Sequence, residues 1–276
     1  MAKPLYQILI EKTGRKRKKL VRPPIIHNPD RVEREYFSDL KSILLDLKKI
    51  TKENILPKLE RIFSQANYLR PVEDDYADEI QELMKKVRII FSEKNTDEKF
   101  KSIAKKNARK VEEFNAKEMD KVFTKVLGVN PFLSEPFIAQ EVSAFTANNV
   151  KLIKDFSDDY FSKVEGIIQR GATSGKLTKD ITSEIVEKLG VTESRAKTIA
   201  RDQVSKFNSS LNKLRQQNLG VTKYEWSTAG DDAVRPSHAE KNGNIYSWDD
   251  PPSDTGNPGD DVNCRCIGLP VFDDEE

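Results

Sequence analysis

Residues 228–266 read TAGDDAVRPSHAEKNGNIYSWDDPPSDTGNPGDDVNCRC, and this stretch decides how the rest of the chain is understood. It contains His238, one of two histidines, and both cysteines, Cys264 and Cys266. It also holds Trp248, one of two tryptophans, and much of the Pro and Gly. Rare, chemically capable side chains gathered in a loop-rich segment mark a site carried by a scaffold. In Cys264-Arg265-Cys266 an extended chain would point both thiols to one face and Arg265 to the other.

The strands implied here are short. VTKYEWST before the stretch sets Val221, Lys223 and Glu225 against Tyr224 and Trp226, a period of two rich in aromatics. NIYSW and CIGLPVF read as two further strands, separated by the turn-forming DDPPSDTGNPGDD. The expected arrangement is a small antiparallel sheet with long loops.

Working back toward the N-terminus, the pattern becomes helical. Thr192 reads as the cap of a helix carrying Ala196, Ile199, Ala200, Val204, Phe207, Leu211 and Leu214, closed by Gly220. A shorter helix follows Thr178 and ends at Gly190. The pair could be taken for a DNA-reading helix-turn-helix with Arg195, Lys197, Arg201 and Lys206. Glu193 and Asp202 dilute that charge, and the pattern fits any helical hairpin. A long helix is expected from a Ser134 cap to Gly171–Gly175. Earlier still, helices are expected from an Asn28 cap with Pro29 at the first position, from about Asp74, and from Asp97 to Leu127. Pro57 should kink the first of these. Tyr76, Ile80, Leu83, Met84, Val87 and Phe91 form the stripe of the second, and Phe100, Ile103, Val111, Phe114, Val122 and Val126 that of the third. Residues 1–27 read as a flexible basic arm closed by Pro23-Pro24, with Arg15, Lys16, Arg17, Lys18 and Lys19 offering contacts to nucleic acid or an acidic partner.

The fold class is therefore mainly α, with long helices in the N-terminal and central parts and a small C-terminal α+β domain. The expected divisions are an arm (1–27), a helical region (28–130), a central helical part (131–220) and a β-rich end (221–276) with an acidic tail. Across 276 residues, 37% are hydrophobic and 33% charged. That is enough for a core but not for a large buried parallel sheet. A net charge of +2 excludes a generic polyanion binder. No apolar run is long enough to span a bilayer, and the apolar start lacks the order of a signal peptide. Two cysteines are too few for a disulfide scaffold, so folding in a reducing cytoplasm is the default.

With these residues in view, the chain from about Phe137 to Phe272 resembles the phage Mu F-like minor head proteins, the phage head morphogenesis family. NVKLIKDFSDDYFSKVEGIIQRG looks like that family's long helix, and GKLTKDITSEIVEKLGVTESRAKTIARDQVSKFN like its helical pair. YEWSTAGDDAVRPSH looks like its strand and turn leading to the histidine, and NCRC like its closing motif. Order and spacing carry the resemblance together. Its signature falls on Arg201, Asp202, Gln203, Trp226, Asp231, Arg235, His238, Gly243, Pro251, Gly259, Asn263, Cys264, Arg265 and Cys266. The resemblance implies a minor capsid protein of a tailed phage or prophage, assembled in the bacterial cytoplasm and placed inside the capsid or at the portal vertex. Its implied partners are the portal protein, capsid or scaffolding proteins, and phage DNA. It implies no established catalytic activity. The class-level alternative is a DNA-binding or DNA-processing protein delivered with the genome.

Three chemistries remain open for the closing motif. His238, Cys264 and Cys266 supply zinc-type ligands, with Asp231, Asp260 or a water needed to complete four. The thiols can instead be buried small hydrophobes, with His238 a hydrogen-bonding strut. A Cys264–Cys266 disulfide is a third form, strained at this spacing. An enzymatic reading would set His238 with Asp231, Asp232 and Arg235 for phosphodiester chemistry. The sequence points away from it, because no second histidine is near and no phosphate-binding loop or hydrolase motif occurs.

Overall fold

The computed structural model describes residues 3–13, 23–66, 74–132 and 135–272. The order is α1 (Leu5–Lys12), α2 (Asp30–Ile50), a π-helical turn (Thr51–Ile55), α3 (Leu56–Ala66), α4 (Asp74–Lys94), α5 (Asp97–Leu127), α6 (Pro136–Ser174), α7 (Thr178–Asn218), β1 (Lys223–Ser227), α8 (Pro236–Ala239), β2 (Ile245–Ser247) and β3 (Ile267–Val271). The fold is mainly α with one small antiparallel sheet, as the sequence indicated. No helix among the described residues is long and apolar enough to cross a membrane.

The chain forms two compact units that interleave in sequence. One gathers residues to Arg34, Lys105–Thr146 and residues from Arg201; the other gathers Glu35–Ala104 and Ala147–Ala200. The divisions expected at 130 and 220 both fall inside the first unit.

The all-helical unit is built on apolar stripes at helical spacing. Tyr36, Leu40, Ile43 and Leu47 of α2 are fully buried, as are Ile153, Phe156, Tyr160 and Ile168 of α6. Ile80, Leu83, Met84, Val87 and Phe91 of α4 face inward as expected; the Tyr76 side chain lies outside the described residues. Phe91 meets Phe161 edge-on at 5.2 Å. Buried hydroxyls are partnered: Tyr36 Oη donates to Asn149 Oδ1 at 2.7 Å, and Thr51 Oγ1 lies 2.6 Å from Tyr160 Oη. The π turn answers the Pro57 problem. A continuous α-helix would set the proline ring against the Glu53 carbonyl, and the wider turn just before Pro57 removes that clash.

Asp46 in this unit binds Lys94 and Lys99, the latter at 3.2 Å. Burial alone would raise its pKa, but the lysine hydrogen bonds outweigh it and hold the carboxyl below its usual range. A depressed folded-state pKa means stability that is complete above the unfolded value of about 3.9 and lost as pH falls through the folded value. Asp46→Asn is expected to cost about 1–3 kcal/mol at pH 7, and less at pH 3. Thermal melts of both proteins at the two pH values check this; an equal difference at both would refute it.

The other unit contains the sheet, ordered β2-β1-β3. Tyr224 pairs with Tyr246 on one side and Pro270 on the other. Pro270 is tolerated because β3 is an edge strand. Tyr6, Phe123, Leu219, Ile267 and Phe272 belong to one apolar cluster, with Tyr6–Phe272 and Phe123–Phe272 edge contacts at 5.4 and 5.6 Å.

Several local expectations need correction. The segment read as an arm is not all extended. Leu5–Lys12 is helical, Tyr6 is buried, and the Tyr6 amide donates to the Leu219 carbonyl at 3.0 Å. Gly220 (φ +82°) allows this approach, since a Cβ there would sit 2.8 Å from Pro4 Cβ. The helical pair at Gly190 is one helix: α7 runs through Gly190 and Val191 without a break. Thr192 is not a cap; its hydroxyl donates back to the Lys188 carbonyl at 2.9 Å. α2 starts at Asp30, with the Glu33 amide bound to the Pro29 carbonyl, and Asn28 is used elsewhere. On α5 the half-buried Phe114 yields the interior to Asn115, which is fully buried. Ser134 lies outside the described residues.

Candidate metal centre

The site is assembled by α7, β1, α8 and the loop before β3. Inward residues of β1 come first. Tyr224 and Trp226 are both fully buried, and Trp248 packs on Tyr224 with centroids 4.2 Å apart and planes tilted by 38°. Gly268 on β3 makes room for this, because a Cβ there would lie 2.6 Å from Trp248 Cη2. Trp226 then presents its indole edge-on to His238, with centroids 5.5 Å apart and planes at 90°.

His238 stands on the single turn α8, which begins with Pro236 at the first helical position. It is 3% exposed. Nε2 lies 2.9 Å from Asp261 Oδ2. An ionised carboxylate only accepts, so Nε2 donates to it, and in the neutral ring Nδ1 then presents its lone pair. That lone pair faces the thiols: Nδ1 is 3.4 Å from Cys266 Sγ and 3.5 Å from Cys264 Sγ.

A tight turn brings the two cysteines to this point. Asn263 adopts φ +58°, a left-handed conformation that Asn tolerates better than most residues. Its amide donates to Asp202 Oδ1 at 3.0 Å, which ties the turn to α7. Cys264 Sγ accepts the amides of Gly259 and Cys266, each at 3.4 Å. The Cys266 thiol hydrogen bond holds the Cys264 pKa down; burial opposes it, and the two amides reinforce it. The same thiol pairing pushes Cys266 up, with burial adding to it. Both cysteines are free and buried.

The remaining signature residues brace this core. Arg235 donates to the Val262 carbonyl at 2.7 Å and reaches Asp261 Oδ2 at 3.4 Å. Asp202 also pairs with Lys206 at 2.9 Å and accepts from Gln203 Nε2 at 3.1 Å. Arg201 Nε donates to Glu33 at 3.1 Å. The Gly243 amide donates to the Trp226 carbonyl at 2.7 Å. Pro251 is half-buried in the loop after Trp248. Asn28 Nδ2 donates to the Arg265 carbonyl at 3.0 Å.

Among the described residues Asp231 does not join the cluster of His238, Cys264 and Cys266. Arg265 Nη2 donates to its Oδ1 at 2.6 Å, and this bond holds the carboxyl below its usual range. Asp260 accepts the Asn257 amide instead. Of the set His238, Asp231, Asp232 and Arg235, His238 and Arg235 meet at Asp261 Oδ2, whereas Asp231 is held by Arg265. Among the described residues, the atoms that converge are those of His238, Cys264 and Cys266, all within 4.8 Å of one another. Two soft donors and one imidazole in this arrangement suit a zinc-type ion. The basic run Arg15–Lys19 lies outside the described residues.

Sequence reasoning missed two contributors. Asp261, read as half of a turn-forming acidic pair, holds His238 by its outer nitrogen. Gln216 on α7 accepts the Trp248 indole N–H at 3.0 Å and donates to the Gly268 carbonyl at 2.8 Å. Asp261 had one signal, its position three residues before Cys264, where its carbonyl closes a turn with the Cys264 amide at 3.1 Å.

Comparison with known proteins gives a family match over this region. Residues 162–268 match the family described as Phage Mu protein F like protein. The match starts later than the expected Phe137 and spans the whole signature, including all three converging residues. An uncharacterized protein of Haemophilus influenzae is 43% identical over 143 residues, 52% of this chain. The chain spans about a third of that relative, 32% of its length. No solved structure matches.

Proposed function

We propose that this chain, with its phage Mu F-like region at residues 162–268, is a minor head protein that acts with the portal during assembly of a tailed-phage head. The observation that carries the reading is the family match, which covers α7 and the His–Cys segment that follows it. That segment is tied to α7 at Asp202, Ser209, Lys213 and Gln216. Its bonds spend the polar groups of the signature on holding loops, which suits a docking module better than a turnover site. On this reading the residues of the first unit from Arg201 onward supply this module, and the helices of the second unit supply surface for head partners.

The reading is tested in heads from the parent phage. Purified particles are expected to contain the chain at low copy number, protected from added protease while the capsid is closed. A chain absent from heads at every stage of assembly would contradict it.

The basic run 15–19 fits contact with packaged DNA or an acidic capsid partner. Replacing Arg15, Lys16, Arg17, Lys18 and Lys19 with glutamine is expected to weaken binding to a DNA duplex and flatten its salt dependence. Each lost phosphate contact removes about 0.9 from the slope of log K against log salt. Titrations at two or more salt concentrations check this. Unchanged affinity and slope would remove DNA from the role of the run.

A further inference from the structure

We propose that His238, Cys264 and Cys266 bind one zinc-type ion, that Asp261 fixes His238 from behind, and that the fourth ligand is exchangeable.

The distances suit an ion shared by the three atoms. Zn–S near 2.3 Å and Zn–N near 2.0–2.1 Å at tetrahedral angles place N and S ~3.6 Å apart. The two Nδ1–Sγ separations are 3.4 and 3.5 Å. Nδ1 has one in-plane lone pair, so it cannot accept in line from both thiols at once. An ion between the three atoms satisfies all of them together. The surroundings agree. Asp261 on Nε2 is the carboxylate that metal-bound histidines commonly carry on their outer nitrogen. Two amide donors already point at Cys264 Sγ, an arrangement that stabilises a thiolate. Binding releases the two thiol protons to solvent and forms two metal–sulfur bonds and one metal–nitrogen bond.

The fourth position follows from the cavity. The three ligands and Arg201, Arg235 and Arg265 line the same space of about 130 Å³. Among the described residues no fourth His, Cys, Asp or Glu joins the cluster. Water enters a cavity of this size, and the guanidinium groups at its wall, held by Glu33, Asp261 and Asp231, have further N–H donors to offer an anion in its place. A structural site would close all four positions with protein ligands; an open one takes a small exchangeable ligand.

The test uses the full chain, reduced and stripped of metal, titrated with Co²⁺. One equivalent is expected to produce thiolate-to-cobalt charge-transfer absorption and tetrahedral visible bands. Cys264→Ser and Cys266→Ser should each reduce that absorption and weaken binding, while circular dichroism reports whether the helices persist. Asp261→Asn should keep the spectrum and weaken affinity about 10–100-fold, the usual effect of losing such a partner. Asp231→Asn should leave affinity unchanged. Inorganic phosphate added to the cobalt form should shift the visible bands. Absence of charge-transfer absorption in the reduced wild-type chain overturns the site. A greater loss in Asp231→Asn than in Asp261→Asn overturns the role of Asp261. Bands indifferent to phosphate overturn the exchangeable position. None of these outcomes bears on the head-protein reading.

Discussion

Arg215→Ala is expected to destabilise the sheet-containing unit by about 3–5 kcal/mol, the usual cost of removing one partner from a buried ion pair. Arg215 is fully buried. Its guanidinium grips Glu135 with two bonds, Nε to Oε1 at 2.8 Å and Nη2 to Oε2 at 2.7 Å. The same Nη2 meets Glu112 at 2.7 Å, and Nη1 donates to Asn115. One side chain of α7 thereby fixes α5 and the residue preceding α6. Asn115 in turn donates to the side chains of Asn208 and Asn212 at 2.9 and 2.6 Å. Truncation leaves two carboxylates, 25% and 14% exposed, without their counter-charge. Lysine should rescue little, because it lacks the planar fork that serves Glu135 twice. Urea unfolding followed by helicity measures the loss. A change below about 1 kcal/mol would place this cluster with weak surface pairs.

The second large effect is expected at Trp226. Trp226→Ala should cost about 3–5 kcal/mol, as for other buried aromatic truncations. The indole is fully buried, packed among Tyr224, Tyr246 and His238. Its removal opens a cavity beside the converging ligands, so a second readout is available. Cys264 and Cys266, buried in the wild type, should react faster with a thiol reagent in the variant under native conditions. Loss of stability without a change in thiol reactivity would mean that the indole supports the sheet and not the His–Cys cluster.

Much of this was legible in the residues. The long helices follow from apolar spacing, and the bounds of α5 and the alternation of aromatics in β1 needed nothing more. The site itself was legible as composition: His238, Cys264 and Cys266 are rare residues in one segment, and they do converge. Its bracing was not. Asp231 and Asp261 are chemically identical in the sequence, and the fold alone gives one to Arg265 and the other to His238. Periodicity also failed where the interior is polar. Hydrophobic spacing placed Phe114 and Leu214 inward, whereas their neighbours Asn115 and Arg215 are fully buried and they themselves are not. A buried polar network specifies its partners by geometry, which no one-dimensional pattern records. The break at Gly190 is the opposite case. Glycine and threonine are strong punctuation locally, but a helix tolerates one glycine at a cost of about 1 kcal/mol. The buried faces on either side of Gly190, Ile185 before it and Ala196 and Ala200 after it, carry α7 through.

The central claim is that this chain works with the portal in head assembly. The most direct measurement is co-expression of the full chain with the portal protein of the same phage, followed by the mass of the purified particle. The account predicts a complex of fixed stoichiometry that survives salt high enough to strip nonspecific DNA binding. Separate elution of the two proteins, with the chain instead held on DNA in a salt-sensitive way, would contradict it and favour a protein delivered with the genome.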